Sequence, residues 1–191
     1  MIKFGDIMQV TTDQQYDSAI KSCKEIFLKK TKDYGTSWRV YRPISIADQI
    51  YIKAKRIRNI QETGIQKVVD DITGEFRGIV NYAIIGLIQL DIHDEEVEEI
   101  PLEEASRLYD AKVALTKKLM EDKNHDYGEA WREMSQESFV DLILAKVLRI
   151  KHIIQNEGQT LVSEGIDANY SDIINYALFA LIMASLNLTG F

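Results

Sequence analysis

The sequence has little of what breaks helices or crosslinks loops: two prolines, ten glycines and one cysteine among 191 residues. A single cysteine excludes an internal disulfide framework, so nothing in the chain indicates an oxidising compartment, and we expect a cytoplasmic protein. The scarcity of proline and glycine, with long stretches of helical spacing and few β-branched alternations, predicts an all-α class. Because 46% of the residues are hydrophobic, the chain can bury a substantial core.

Long, clean apolar runs are missing as well. The opening residues, "MIKFGDIMQV", do not combine a charged region, an apolar run and a small-residue cleavage site, so we predict no secretory signal. The most apolar segment, "DIINYALFALIMASLNL", contains two asparagines and a serine and falls short of the roughly 20 clean residues that cross a bilayer. We therefore predict a buried helix there and no membrane association.

The net charge of −7 belongs mainly to one segment. Eight of the 30 acidic residues lie between Asp91 and Glu104, and the remaining 22 stand against 23 basic residues. The rest of the chain is therefore close to neutral, which argues against broad nucleic-acid binding. The acidic segment, 91–101, is predicted to be a solvated connector, and Pro101 at its end suits the first turn of a helix.

The sequence contains an internal repeat. The stretch "KTKDYGTSWR", which begins at Lys30, returns 93 positions later as "KNHDYGEAWR". At the same offset "DQIYIKAKRI" falls opposite "DLILAKVLRI", and at an offset of 94 "GIVNYAIIGLIQL" falls opposite "DIINYALFALIMA". A match over three segments in the same order indicates duplication of a whole unit.

Each copy is predicted to form three helices, near 13–32, 45–62 and 75–91 in the first and near 102–123, 138–156 and 167–188 in the second. The second and third helices of each copy are apolar nearly all round, so they must lie at the centre of a bundle. We predict a single domain, residues 1–191, in which repeat 13–91 and repeat 102–191 form a six-helix bundle with approximate twofold symmetry, like a fused dimer. Association of two chains into a homodimer is left open.

Charged residues interrupt the apolar helices of the second copy. Lys146 and Arg149 are three positions apart, a spacing that lets both side chains reach one anion. Asp172, Asn175 and Tyr176 share one face of the third helix. Burying such groups is costly unless each has a partner, so a protein group, a metal or a ligand is expected to contact them.

Oxygen ligands for a hard cation stand close by. Glu164 and Asp167 precede Asp172, and carboxylates of this kind suit Mg²⁺ with bridging phosphates. In the first copy Lys53 and Arg56 repeat the lysine and arginine, which raises them above an ordinary solvated basic rim.

Structural alternatives stand beside these interpretations. Lys146 and Arg149 can instead pair internally with Asp172 and Glu164, and Asn175 and Tyr176 can crosslink helices by hydrogen bonds. Asp48 and Asp141 each follow a serine by three positions, a pattern typical of a helix start, so both can act as caps.

Three motifs occur in both copies: K-x-x-D-Y-G-x-x-W, then K-x-x-R on an apolar helix, then N-Y-A on another. Together they resemble the nucleotide modification associated domain 1 family, a family of unknown function. That family's signature tends to read D-Y-G, then D-K-x-x-R, then an acidic stretch ending in D-L-x-N-Y-A. Here Ile52 and Ala145 replace the aspartate before the lysine, and Gly78 stands where the second copy has Asp172. The resemblance implies that the second copy holds the more complete polar set.

The arrangement is also similar to the all-α nucleoside triphosphate pyrophosphohydrolases, helical proteins whose acidic residues hold Mg²⁺. Their paired E-x-x-E and E-x-x-D motifs are missing from the core helices here, and the one E-x-x-E stands in the connector, in "EEVEE". This departure argues against hydrolysis.

The leading hypothesis is a protein of nucleotide metabolism that binds a nucleotide or a related phosphorylated small molecule in a polar pocket between helices. Lys146 and Arg149 are expected to hold the phosphates, and Tyr127 and Trp131 to wall a base. The other candidate binding residues are Asp126, Asn175, Tyr176, Lys53 and Arg56.

If the protein is an enzyme, the expected reaction is Mg²⁺-dependent hydrolysis of a phosphate or pyrophosphate, with Asp172 and Lys146 as catalytic residues and Asp172, Glu164 and Asp167 as metal ligands. The competing hypothesis is a non-catalytic helical scaffold or interaction protein with no cofactor. In that protein the polar residues form a buried network, and the acidic connector meets a partner.

Overall fold

The computed structural model describes residues 10–65, 71–92, 99–161 and 164–189. These residues form six α-helices and no strand: α1 Thr12–Tyr34, α2 Pro43–Thr63, α3 Ile72–Asp91, α4 Leu102–Tyr127, α5 Gln136–Gln155 and α6 Ile166–Thr189. The all-α prediction and the count of three helices in each copy are confirmed. Most of the predicted acidic connector, 93–98, lies outside the described residues.

The repeated turn differs from its prediction in one respect. The first helix of each copy was expected to end at Lys32 or Lys123, but the aspartate and tyrosine of D-Y-G continue it to Tyr34 and Tyr127. The glycine that follows has a positive φ, +64° at Gly35 and +58° at Gly128, and this ends the helix. A short 3-10 helix comes next in both copies, Ser37–Val40 and Ala130–Glu133.

Packing separates the helices into a centre and two outer members. Helices α2, α3, α5 and α6 make the most extensive contacts with one another, while α1 and α4 lie against α3, α6 and each other. This order follows from the sequence, because α3 and α6 are apolar on most of their surface and must be covered on all sides. One hydrophobic cluster runs through both copies, so the chain folds around a shared core.

Equivalent hydrogen bonds relate the two copies. Tyr16 on α1 donates to Asn175 on α6 at 3.0 Å, and Tyr109 on α4 donates to Asn81 on α3 at 2.8 Å. Tyr109 is the repeat counterpart of Tyr16, and Asn81 is that of Asn175. Each tyrosine thus binds the asparagine of the other copy, as expected for a fused dimer with twofold symmetry.

Two sets of ion pairs follow the same symmetry. Lys24 contacts Asp110 at 2.7 Å and Lys117 contacts Asp17 at 2.8 Å, which joins α1 to α4 twice. Across α2 and α5 the two equivalent pairs are Lys151 with Asp48 at 2.7 Å and Arg58 with Asp141 at 3.5 Å.

The capping interpretation of Asp48 and Asp141 is wrong. The side chain that caps α5 is Ser135, which accepts a hydrogen bond from the backbone N–H of Ser138. Asp48 and Asp141 lie one turn or more inside their helices, where the backbone N–H groups are already bonded within the helix. None of the described helices is long and apolar enough to cross a membrane.

Candidate functional site

A lysine–aspartate–lysine cluster forms between three helices of the second copy. Lys146 on α5 donates to one carboxylate oxygen of Asp172 on α6 at 2.6 Å, and Lys123 near the end of α4 donates to the other at 2.7 Å. The side chains of Asp172 and Lys146 are only 6% and 13% exposed, so this pair is buried; that of Lys123 is 45% exposed. The predicted internal salt bridge of Lys146 with Asp172 is therefore present.

The cluster extends toward solvent through Tyr176 and Arg149. Desolvation lowers the pKa of Lys123, but the hydrogen bond and charge of Asp172 outweigh it, and the net shift is upward. Burial and the charge of Asp172 raise the pKa of the Tyr176 phenol, while Lys123 and Arg149 lower it. Arg149 is exposed, so it contributes a positive charge to the edge of the cluster rather than a buried contact.

The three predicted Mg²⁺ ligands are not brought together. Glu164 and Asp167 are exposed, whereas Asp172 is buried with an ammonium group on each of its oxygens. Among the described residues no three carboxylate, histidine or cysteine side chains converge in a way that could hold a metal ion. A carboxylate already neutralised by two cations does not fit a resident divalent cation.

The predicted base-binding residues of the second copy, Tyr127 and Trp131, lie in different environments. Trp131 is buried and stacks on Phe179 with ring centroids 4.3 Å apart and planes 5° apart, so it belongs to the core and does not wall the cluster. Tyr127 is 71% exposed, and Asp126 is exposed and contacts His125. The role of Trp131 as a wall for a base stays a prediction, because a repeated aromatic residue suits a core position as well as a binding site.

Asn175 is a crosslink between helices. Its side-chain oxygen accepts the hydrogen bond from Tyr16, and its amide donates to the backbone carbonyl of Thr116 at 3.3 Å. In the first copy the amide of Asn81 donates to the carbonyl of Cys23 at 3.0 Å, the repeat counterpart of Thr116. With both ends bonded to protein, Asn175 fits the structural alternative better than a ligand contact.

In the first copy the predicted pair Lys53 and Arg56 binds one carboxylate that the sequence argument missed. Glu75 on α3 contacts Arg56 and accepts a hydrogen bond from Lys53 at 3.2 Å. Glu75 is only 8% exposed. The repeat alignment could have indicated Glu75, because the equivalent position of the second copy is also polar: it is Asn169, one turn before Asp172.

A cavity of about 360 Å³ lies beside this pair, between the end of α1, the 3-10 helix that follows it, the middle of α2 and α3. Three cations line it, Lys30, Lys53 and Arg77, and among the described residues no carboxylate is part of the lining. The buried Nε of Arg77 has no hydrogen-bond partner among the described residues. One wall of the cavity is aromatic and is formed by Tyr34, Trp38, Tyr41 and Tyr82.

The polar groups of this cavity differ in how far they are already engaged. Lys53 has Glu75 as a partner, while Lys30 is exposed and has no ion pair with the described part of the chain. Burial and the neighbouring Tyr41 raise the pKa of Tyr82 to about 12, so its hydroxyl stays protonated. At the rim, the side chain of Glu99 lies against Gly35.

A larger, more open groove of about 1110 Å³ lies elsewhere, between the starts of α1 and α3 and the end of α6. Its charged groups are largely engaged with one another. Arg132 bonds to Glu129 at 2.8 Å, and both contact the hydroxyl of Thr12. Arg77 lines both openings, but only the smaller cavity adds Lys30 and Lys53, so it is the better candidate for an anionic ligand.

Comparison with known families is decisive on one point. The profile of the nucleotide modification associated domain 1 family matches two segments, residues 30–90 and 123–183. The chain belongs to the nucleotide modification associated domain 1 family. No curated protein and no solved structure shows significant similarity to it. The proposed likeness to the nucleoside triphosphate pyrophosphohydrolases stays a prediction, as do the outer limits of the repeats.

Each nucleotide modification associated domain 1 segment begins at the lysine of the K-x-x-D-Y-G-x-x-W motif, which the sequence analysis did not place among the candidate site residues. Lys30 opens the first segment and lines the cavity; Lys123 opens the second and binds Asp172. Both stand three residues before the aspartate of D-Y-G, so their recurrence at the start of the repeat was the available signal. Sequence spacing alone could not show that the last turns of α1 and α4 reach the third helix.

Proposed function

We propose that this protein binds a phosphorylated small molecule of the nucleotide class in the cavity of its first copy. The observation that carries the proposal is the lining itself, which in the described part of the chain has three cations, no carboxylate and an aromatic wall. Lys30, Lys53 and Arg77 would supply charged donors to phosphate oxygens, which accept such hydrogen bonds more strongly than neutral ones. The description of the family as associated with nucleotide modification agrees with this class of ligand.

The aromatic wall gives the rest of the ligand a surface to contact. Tyr34 is 69% exposed at the mouth, and Tyr41 and Tyr82 are half-buried with ring centroids 6.3 Å apart. A planar base can stack on rings of this kind, while a protonated Tyr82 hydroxyl can bond to the sugar or the base.

The volume favours a small ligand. Cavities that enclose drug-sized molecules run from about 300 to 1,000 Å³. At about 360 Å³ the cavity is at the low end of that range, which suits a nucleoside monophosphate better than a dinucleotide. The proposal is restricted to binding, because Asp172, the carboxylate on which the hydrolysis hypothesis depends, has both of its oxygens on lysines.

The competing scaffold hypothesis is supported by one observation, the self-satisfied cluster in the second copy. Lys123 and Lys146 each pair with one oxygen of Asp172, which ties α4, α5 and α6 together. That observation concerns the second copy, so a structural role there is compatible with ligand binding in the first.

The test is thermal unfolding measured against ribo- and deoxynucleoside mono-, di- and triphosphates, with and without Mg²⁺. A ligand at about 100 times its Kd should add about 2.7 kcal/mol, which in a chain of this size raises Tm by roughly 5–10 °C. Lys30→Ala should weaken binding about tenfold or more, because it removes one charge-assisted hydrogen bond.

Lys29→Ala is the matched control, since Lys29 is the exposed neighbour of Lys30 and does not line the cavity. It should leave the affinity unchanged. The absence of a Tm shift with every phosphorylated compound, or equal losses in the two variants, would contradict the proposal.

A further inference from the structure

The two copies differ at the position where their lysines converge. Gly78 on α3 and Asp172 on α6 each stand three residues before the asparagine that bonds to the outer helix, so they are structural counterparts. A Cβ added at Gly78 would lie 2.9 Å from Cε and 3.3 Å from Nζ of Lys53. In the second copy a carboxylate occupies the corresponding place, 2.6 Å from Nζ of Lys146.

The lysines around this position differ between the copies in the same way. Lys123 and Lys146 direct their ammonium groups at Asp172, whereas Lys30 and Lys53 line the open cavity next to Gly78. The first copy thus keeps the two cations but has no carboxylate between them, and the side chain of Lys53 lies directly against Gly78.

The first copy does have a carboxylate, but one turn earlier on its third helix. Glu75 binds Lys53 and Arg56, does not line the cavity, and forms no ion pair with Lys30 among the described residues. Its counterpart, Asn169, bonds to the backbone carbonyl of Gly165 instead. The acidic group has therefore exchanged positions between the copies, and in the first copy a cavity lies beside the lysines.

We infer that the carboxylate of Asp172 replaces the ligand's phosphate in the second copy. It occupies there the position that a phosphate takes in the first copy. The protein therefore has one phosphate site instead of two. The inference rests on the proposed function for its first-copy half. The second-copy half can be tested by itself, because removal of Asp172 should expose two lysines to an external anion. The ligand class at the opened position is again a phosphate monoester or inorganic phosphate.

The experiment is a titration of the full chain with inorganic phosphate at constant ionic strength, followed by backbone amide resonances in ¹H–¹⁵N NMR spectra. Resonances near Gly78 report the first copy, and those near Asp172 report the second. In the wild-type protein, phosphate should shift the first set only. In Asp172→Ala it should shift both sets, with a Kd at the second copy at least tenfold below the highest phosphate concentration that leaves the wild-type second-copy resonances unshifted.

Reciprocal variants at Gly78 separate charge from volume. Gly78→Asp should weaken phosphate binding at the first copy at least tenfold more than Gly78→Asn, which fills the same space without the charge. Equal losses in the two variants would contradict an electrostatic substitution.

The outcomes distinguish this inference from the proposed function. No first-copy shift in the wild type argues against the proposed function, while no second-copy shift in Asp172→Ala overturns the inference whatever the wild type does. Second-copy shifts in the wild type also overturn it and leave first-copy binding intact. If Asp172→Ala does not fold, Gly78→Asp is the deciding variant. It should raise Tm in the absence of phosphate, because the new carboxylate pairs with Lys53, and it should abolish the first-copy shifts. If neither change is observed, the inference is contradicted.

Discussion

The hydroxyl of Tyr16 donates a hydrogen bond to the side-chain oxygen of Asn175, 159 positions later in the chain and in the other repeat. Both residues are buried, and burial raises the pKa of the Tyr16 phenol, so the hydroxyl remains a donor at every physiological pH. The counterpart bond from Tyr109 to Asn81 makes this a reciprocal link between the two copies. In each three-helix unit the amide of the third-helix asparagine bonds within its own copy, while the side-chain oxygen takes its donor from the other copy.

Tyr16→Phe and Tyr109→Phe should each lower the free energy of unfolding by about 1–2 kcal/mol. The cost arises because each variant leaves a buried asparagine oxygen without its donor. Urea unfolding followed by circular dichroism measures the effect. Tyr34→Phe, at a residue that is 69% exposed, is the control and should change stability by less than about 0.5 kcal/mol. If either buried variant matched this control, the bond would not link the copies energetically.

Asp172→Asn should lower the free energy of unfolding by about 3 kcal/mol, because the buried ammonium of Lys146 loses its counter-charge. Lys123→Met should cost less, since the side chain of Lys123 is 45% exposed and can be solvated. Denaturant unfolding gives both values. Asp126→Asn changes the same type of residue at an exposed position and should be nearly neutral. A larger loss from Lys123→Met than from Asp172→Asn would show that the carboxylate is not the centre of the cluster.

The equivalent arginines of the two copies should respond differently to replacement. Arg56→Ala removes a contact to Glu75, which is buried, and should cost about 1–2 kcal/mol. Arg149→Ala, at the exposed counterpart, should change stability by less than about 0.5 kcal/mol. Each arginine is thus the control for the other in one denaturation series, and equal effects would contradict the asymmetry of the two copies.

Gly86→Ala should destabilise the protein by about 1–3 kcal/mol, because a Cβ at Gly86 on α3 would lie 2.5–2.9 Å from ring atoms of Tyr170 on α6. Gly74→Ala is the matched control on the same helix. No atom lies within 4 Å of a Cβ at Gly74, so this change should stabilise α3 by about 0.5–1 kcal/mol. The difference in Tm between the two variants measures how closely α3 and α6 pack; similar Tm values would mean that the two helices can separate without cost.

Glu129 should make part of the stability depend on pH. Hydrogen bonds from Thr12 and Arg132 lower its pKa in the folded state below the ordinary value of 4.5. Its contribution is therefore complete above pH 4.5 and disappears as the pH falls through the folded-state pKa. Glu129→Gln should lower Tm by roughly 2 °C at pH 7 and by much less at pH 3, because the carboxylate is partly solvated. A Tm difference that stays the same at both pH values would contradict this assignment.

The predictable part of the candidate site was the set of residue types, and the unpredictable part was their pairing. The helical spacing correctly indicated that Lys146 and Asp172 need partners, and the two residues are each other's partner. Spacing could not separate this outcome from ligand binding, because both satisfy a buried charge. Trp131 illustrates the same point: it stacks on Phe179 in the core, and the repeat by itself does not indicate whether a recurring residue packs there or binds a ligand.

By itself the sequence determined the all-α class, the three helices of each copy and the duplication, because these follow from local spacing and from comparison of the chain with itself. Only the tertiary structure decided which lysines meet a carboxylate, since Lys30 and Lys123 reach the third helices through the crossing of helices far apart in sequence. The same helix crossing places Gly78 and Asp172 in equivalent positions with opposite results. Beside Gly78 it leaves a cationic cavity, and at Asp172 it forms a buried ion cluster, because a charge in low dielectric must either find its partner in the protein or take one from solution.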